Sequence, residues 1–193
     1  MQRRPYRLKQ RAESAEETRR RLVQATFELH GEQGIAATTM KQIAERAGVG
    51  TGTVYHHFPT LDDTVLACGR MVMATYPPPS EAIFAGVPTM KERLALLARA
   101  LFAWSDRVAF DVIRMDRDRM AIVRKFIDDE LARRVELTRA ALAPFAIDRD
   151  LVWISAALLD VGSYRALQQI GLSLDQAAEA IAEIIQARLT RKD

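Results

Sequence analysis

The sequence predicts an all-α protein, and three observations predict it. Apolar residues recur at helical spacing, as in Leu22, Val23, Thr26, Phe27 and Leu29, or in Leu174, Ala177, Ala178, Ile181, Ile184, Ile185 and Leu189. Hydroxyl residues stand three places before Glu, Gln or Asp at Ser14, Thr39, Thr60, Thr89 and Ser173. In that pattern a side-chain oxygen accepts from an orphan amide of a new helix while the later residue reaches back. Glycines and prolines fall between the periodic stretches, and neither an alternating strand pattern nor an internal repeat is present.

Taken in order, the elements begin with a basic, flexible arm at residues 1–13, where Arg3, Arg4, Arg7, Lys9 and Arg11 precede the first acid. Helices are then predicted at 14–32, 39–46, 50–57 and 60–75, each opened by a cap or a glycine and closed by Gly31 and Gly34, Gly48, Pro59 or a proline run. Pro77, Pro78 and Pro79 hold the chain extended and mark a boundary. Longer helices follow at 89–109, at 113–142 with a break somewhere inside, at 149–170 and at 173–190.

Composition narrows the function classes. The 193 residues are 49% hydrophobic and 27% charged, an ordinary globular balance with length enough for one or two domains. The single cysteine, Cys68, excludes an intramolecular disulfide and a multi-cysteine zinc cluster and suits a reducing, cytoplasmic compartment. No apolar run nears the ~18 residues that span a membrane, and charged residues follow the N-terminus where a leader would need an apolar run. Residues 1–60 carry 10 Lys/Arg against 6 Asp/Glu, whereas the remainder carries 18 against 19. A basic head on a near-neutral body predicts that the head meets a polyanion.

The stretch GVGTGTVYHHFP, Gly48 to Pro59, decides which polyanion. A dinucleotide fingerprint requires a preceding strand and a long following helix, but TMKQIAERA is helical by pattern and Pro59 stops the next helix within about two turns. No Gly-Lys-Ser/Thr supplies a P-loop. Adjacent His56 and His57 diverge by about 100° on a helix and do not share one metal ion. Two short helices meeting at Ala47-Gly48-Val49 read instead as a helix-turn-helix, with Gly48 in a left-handed conformation and Val49 packed inward. The second helix then presents small residues, Thr51, Gly52 and Thr53, to base edges and phosphates. Tyr55 and His57 reach flanking phosphates, while Val54 and Phe58 face the core.

The run TTMKQIAERAGVGTGTVYHHFPT, Thr38 to Thr60, resembles the helix-turn-helix signature of the TetR family of bacterial transcriptional regulators, and RRRLVQATFELHGEQG resembles the family's first helix. The resemblance covers about residues 15–66. It implies a DNA-binding domain of three helices at 14–59, a linking helix at 60–76 and a ligand-binding and dimerisation domain at 77–193. The implied protein is a homodimer on a palindromic double-stranded operator, most often a repressor, that lets go when a small, partly apolar effector binds. By position Thr39 would cap the second helix at a phosphate, Lys41 would reach a base or phosphate, and His56 would add a contact. The arm, through Arg3, Arg4, Arg7 and Lys9, would follow a phosphate strand or a minor groove. Two departures stand out: Leu61, followed by Asp62 and Asp63, occupies the place of a frequent phosphate-binding lysine, and His30 replaces an aromatic or aliphatic core residue.

Beyond residue 77 the resemblance implies a pocket and a helical dimer face. Candidate pocket residues are Phe102, Trp104, Phe110, Met115, Met120, Trp153 and Tyr164, since aromatic and methionine surfaces accept apolar ligands. The stripe of Leu174, Ala177, Ala178, Ile181, Ile184 and Ile185 suits close approach of a second copy. The run RMDRDRMAIVRK, Arg114 to Lys125, reads as a solvated, salt-bridged face. No cofactor, metal or catalytic residue is expected. The alternatives are a helical protein-interaction module and an all-α enzyme with a structural helix-turn-helix.

Overall fold

The computed structural model describes the backbone of residues 3–108, 113, 116 and 119–190, with side chains from Lys9 onward. No strand occurs among the described residues. Two compact units form, Met1–Thr75 with Met115–Val123, and Tyr76–Arg114 with Arg124–Asp193.

The first unit is built from α1 (Arg3–Gln33), α2 (Met40–Ala47), α3 (Thr51–His57) and α4 (Leu61–Thr75). Its core gathers Leu22, Leu29, Ile43, Ala44, Val54 and Phe58 with neighbours from all four helices. Helix α1 starts at Arg3 rather than Ser14, so the backbone of residues 3–13 is helical where the sequence predicts an arm. The physical reason is composition: Arg, Lys, Gln, Ala and Glu are strong helix formers, and Pro5 sits in the first turn, where a missing N–H costs nothing. Ser14 accordingly caps no helix, and its carbonyl accepts from Thr18 Oγ1 at 2.9 Å.

The second unit contains a 3-10 turn (Glu81–Phe84), α5 (Met90–Arg107), α6 (Ala121–Leu142, whose first residues belong to unit one), a 3-10 turn (Ala143–Phe145), α7 (Arg149–Leu158), α8 (Val161–Gln169) and α9 (Leu174–Thr190). Its core centres on α5 and α9, with Leu94, Leu97, Phe102, Ala178 and Ile185 fully or almost fully buried. The predicted helix 149–170 is two helices, because Asp160 accepts from Gly162 N at 2.7 Å and caps a new start. Arg93 secures the far end: its guanidinium donates to Ala141 O at 2.7 Å, Ala140 O at 2.9 Å, Val87 O at 3.2 Å and Phe84 O at 3.3 Å. It thereby satisfies last-turn carbonyls of α6 that have no intrahelical partner.

Candidate DNA-binding surface

The helix-turn-helix assembles from local rules. Thr39 opens α2 with a complete capping box: Gln42 N donates to Thr39 Oγ1 at 3.3 Å, and Thr39 N donates to Gln42 Oε1 at 2.9 Å. Gly48 closes α2 at φ 67°, in the left-handed region, and its N–H donates to Glu45 O at 3.2 Å. Val49 N then donates to Ala44 O at 3.0 Å, which turns the chain straight into α3. Val54 and Phe58 are buried as predicted from their spacing of four, and Val49 packs partly buried against the same core.

Burying one side of α3 turns the other side outward. Thr51, Gly52, Tyr55 and His56 are exposed, Thr53 and His57 are half-buried, and Tyr55 keeps 52% of its surface. Lys41 and Thr39 are exposed on α2, with the Lys41 ammonium 3.8 Å from Glu45. The structure therefore brings eight of the predicted contact residues (Thr39, Lys41, Thr51, Gly52, Thr53, Tyr55, His56 and His57) onto the α2–α3 hairpin. Lys9 is exposed on α1 and 3.9 Å from Glu13, while Arg3, Arg4 and Arg7 have side chains outside the described residues. The His56 and His57 rings meet edge-to-face at 5.5 Å. Partial burial, then the nearby charges of His56 and Arg19, hold the His57 imidazole below the usual histidine value against an opposing Glu16, so it is neutral at pH 7.

Two glycines of the hairpin differ in kind. Gly48 is required by its backbone conformation. Gly52 has no positive φ, and a Cβ built there would meet nothing within 4 Å, so nothing among the described residues asks for glycine. Glycine inside a helix costs about 0.5–1 kcal/mol relative to alanine, and α3 bears that cost without an internal return.

At the start of α4, Thr60 and Asp63 form another complete box, with Thr60 N donating to Asp63 Oδ2 at 2.9 Å and Asp63 N to Thr60 Oγ1 at 3.2 Å. Leu61 packs partly buried against the core. Thr60 N is thus held by the Asp63 carboxylate and Asp63 N by the Thr60 hydroxyl, so two amides at this helix start are engaged within the chain.

Sequence reasoning missed Arg19 and misplaced Asp116. Arg19 of α1 lays its guanidinium 4.3 Å from the centroid of the Phe58 ring and donates to His57 O at 3.2 Å. Its only signal in sequence was membership of an arginine triplet. Asp116 belongs to the run read as a solvated face, yet it is buried and accepts from Ala36 N at 2.9 Å. Charge alternation could not show that one acid would satisfy a backbone amide between α1 and α2. His30 is buried, its Nε2 has no hydrogen-bond partner among the described residues, and burial lowers its pKa to about 4, with Asp116 opposing.

In the second unit most of the predicted pocket and dimer residues that are described are buried within the chain. Phe102 and Tyr164 are core residues that stack at 4.6 Å with their planes 3° apart. Buried Trp104 donates its indole N–H to Tyr76 O at 2.9 Å. Trp153 is 42% exposed because Val152, Ser155 and Ala156 take the inner face of α7. Met120 is half-buried in the segment Met115–Val123 of the first unit, and Phe110 and Met115 lie outside the described residues. Phe102, Trp104, Glu130, Arg134 and Leu159 line a cavity with room for about one water molecule. Arg134 reaches Asp160 at 2.8 Å and Glu130 at 3.5 Å, leaving its Nε without a hydrogen-bond partner.

On α9, Ala177, Ala178, Ile181 and Ile185 are buried inside the unit against α5, and Leu174 packs half-buried on the same cluster. Small residues let α5 approach closely, so the stripe is consumed within the chain. Of the predicted face only Ile184 points outward, 53% exposed. Burial also raises the Cys68 thiol to about 12, which leaves it an inert core residue.

Comparison with known proteins agrees with this geometry. Residues 22–68 match the family model described as bacterial regulatory proteins, tetR family. Over 47 residues the chain is 49% identical to the HTH-type transcriptional regulator SrpR of Pseudomonas putida, covering 24% of this chain and 22% of that protein. Over 84 residues it is 31% identical to the HTH-type transcriptional regulator BetI of Rhizobium meliloti, covering 44% of this chain and 41% of that one. The matched part thus spans less than half the length of either relative. A crystal structure of a transcriptional regulator from Rhodococcus sp. Rha1 shares the fold with a TM-score of 0.66 and 19% identity, over 91% of this chain and 99% of that chain.

Proposed function

The chain belongs to the TetR family of bacterial regulatory proteins, and from that premise we propose that it is a homodimeric repressor released from a palindromic operator by a small effector. The observation that carries the reading is Gly52. A helix that keeps an unneeded glycine on its exposed face, between Thr51 and Thr53, is shaped for an outside surface to come close. Around it Lys41, Thr51 and Thr53 read base edges, while Thr39, Tyr55, His56 and His57 hold phosphates, His57 as a neutral hydrogen-bonding group. In a dimer the two copies of α3 would enter major grooves about 34–36 Å apart.

The exposed apolar residues Trp153 and Ile154 of α7 and Ile184 of α9 are the surface we assign to the second copy. The effector acts on the second unit, and two covalent routes lead from there to the reading head. One is α4. The other is Met115–Val123, which belongs to the first unit although its neighbours in sequence on both sides belong to the second. Asp116 in that segment holds the amide of Ala36, so a shift of the segment reaches the corner before α2 directly. The free energy available for release is the effector's difference in affinity between the two conformations.

The test is DNA binding by the purified protein across salt concentrations, on duplex from upstream of its own gene and on selected random sequence. Specific binding that weakens steeply with salt is the expected result, and no salt-dependent binding to any duplex overturns the reading in favour of a protein-interaction module. Gly52→Ala sharpens the test. It should raise the stability of the first unit by roughly 0.5–1 kcal/mol through helix propensity and yet weaken operator binding.

A further inference from the structure

We propose that Arg19 is the positioning residue that fixes the C-terminal end of α3 against α1, and so sets the orientation in which α3 meets DNA. This rests on the DNA-binding reading above. Helix α3 has 7 residues, too few to hold its shape alone, since isolated helices shorter than about 12–15 residues are marginal in water. Its start carries no side-chain cap, because Gly50 stands there. Its end leaves carbonyls without intrahelical partners and a partial negative charge.

Arg19 meets both needs of that end with one group. One Nη of its guanidinium donates to the carbonyl of His57, and its Cζ lies over the ring of Phe58, itself 1% exposed in the core. A planar fork that stacks and donates at once is a property of arginine that lysine lacks. The carbonyl it holds belongs to a residue placed on the phosphate-facing side, and Tyr55 lies two residues before it. Rotation of α3 about its buried Val54 would carry Thr51, Gly52, Tyr55 and His57 together. The Arg19 contact is a polar tie between α1 and the end of α3 that opposes such rotation.

The decisive experiment compares Arg19→Met, which removes the charge and the donors and leaves an unbranched apolar chain, with Arg19→Lys, which keeps a charge and an aliphatic stem but loses the planar guanidinium. Two readouts are taken on the full chain at a temperature where circular dichroism shows both variants folded. The first is amide hydrogen exchange at Phe58, whose N–H donates to Val54 O at 2.8 Å, with Ile43 as the reference in the core. Exchange at Phe58 should accelerate by about tenfold or more while Ile43 is unchanged, the pattern of local opening. Equal acceleration at both amides, or none at either, overturns the proposal.

The second readout is affinity for the operator and for a random duplex. Operator affinity should fall by about tenfold or more while random-duplex affinity changes by less than about threefold, because orientation affects specific contacts and not the diffuse electrostatic attraction. An equal loss on both duplexes makes Arg19 a phosphate contact and overturns the positioning role, as does full rescue by Arg19→Lys. A wild-type protein that binds no duplex in a salt-dependent way sinks the DNA-binding reading, and the exchange experiment then decides the role of Arg19 in α3 by itself.

Discussion

Helices α3 and α9 carry the same kind of apolar stripe and use it differently. On α3, apolar Val54 and Phe58 turn inward and the predicted contact residues are left at the surface. On α9, the residues predicted to meet a second copy are the ones that turn inward, with Ile184 alone of the set clearly outside. An apolar stripe states that a face is buried but not what buries it. A helix of 7 residues with a glycine at each end of the turn before it leaves little choice, whereas one of 17 residues has enough surface to serve its own unit.

The largest effect is expected at Arg93. It is the second unit's counterpart to Arg19, a single guanidinium closing helix ends, but it holds four carbonyls instead of one. Arg93→Ala should cost about 3 kcal/mol or more, since even one hydrogen bond to a charged group contributes about 1.5–3 kcal/mol. Denaturant titration followed at Trp104, with DNA binding measured in parallel, separates loss of the second unit from loss of the reading head.

A comparable effect, tunable by pH, belongs to the first unit. The His30 pKa is lowered from its ordinary value to about 4 by burial. The unfolded chain therefore binds the proton that the folded chain refuses. His30's contribution to stability is complete above about pH 6.5 and is lost as pH falls towards 4, a total of about 3 kcal/mol. Replacing it with phenylalanine should flatten that part of the stability profile; an unchanged slope in His30→Phe would show that the imidazole protonates without unfolding cost.

The smallest effect uses one conformation found in both units. Gly48 at φ 67° and Ala146 at φ 52° both stand in the left-handed region. A Cβ at Gly48 meets nothing within 4 Å, so Gly48→Ala should cost only backbone strain, about 1 kcal/mol. Ala146→Gly removes the same strain, offset in part by the greater entropy of glycine in the unfolded chain. Thermal melts should move in opposite directions, with the larger shift in the first unit. Equal downward shifts would mean that Ala146 is held by packing and not strained.

Most of the first unit was legible because its instructions are local. The boxes at Thr39 and Thr60 formed as their spacing predicts, and so did those at Ser173 and, in its hydroxyl half, Thr89. The box pattern at Ser14 formed nothing, because good helix formers on both sides carried α1 straight through it. Arg19, Asp116 and Arg93 were illegible for a common reason. Each acts on a backbone group 38, 80 or 48 residues away, and a charged residue in sequence does not say which distant carbonyl or amide will lack a partner.

Caps, left-handed glycines and four-residue spacing act within one or two turns, so the sequence alone specifies α2, α3 and α4 with their stops and the outward face of α3, though not where α1 begins or that residues 149–170 form two helices. Tertiary structure decided which apolar stripes were used up inside the chain, which acid was buried and which arginines closed the helix ends. Those outcomes depend on which surfaces meet, and burial and hydrogen-bond satisfaction are properties of the meeting rather than of either strip of residues alone.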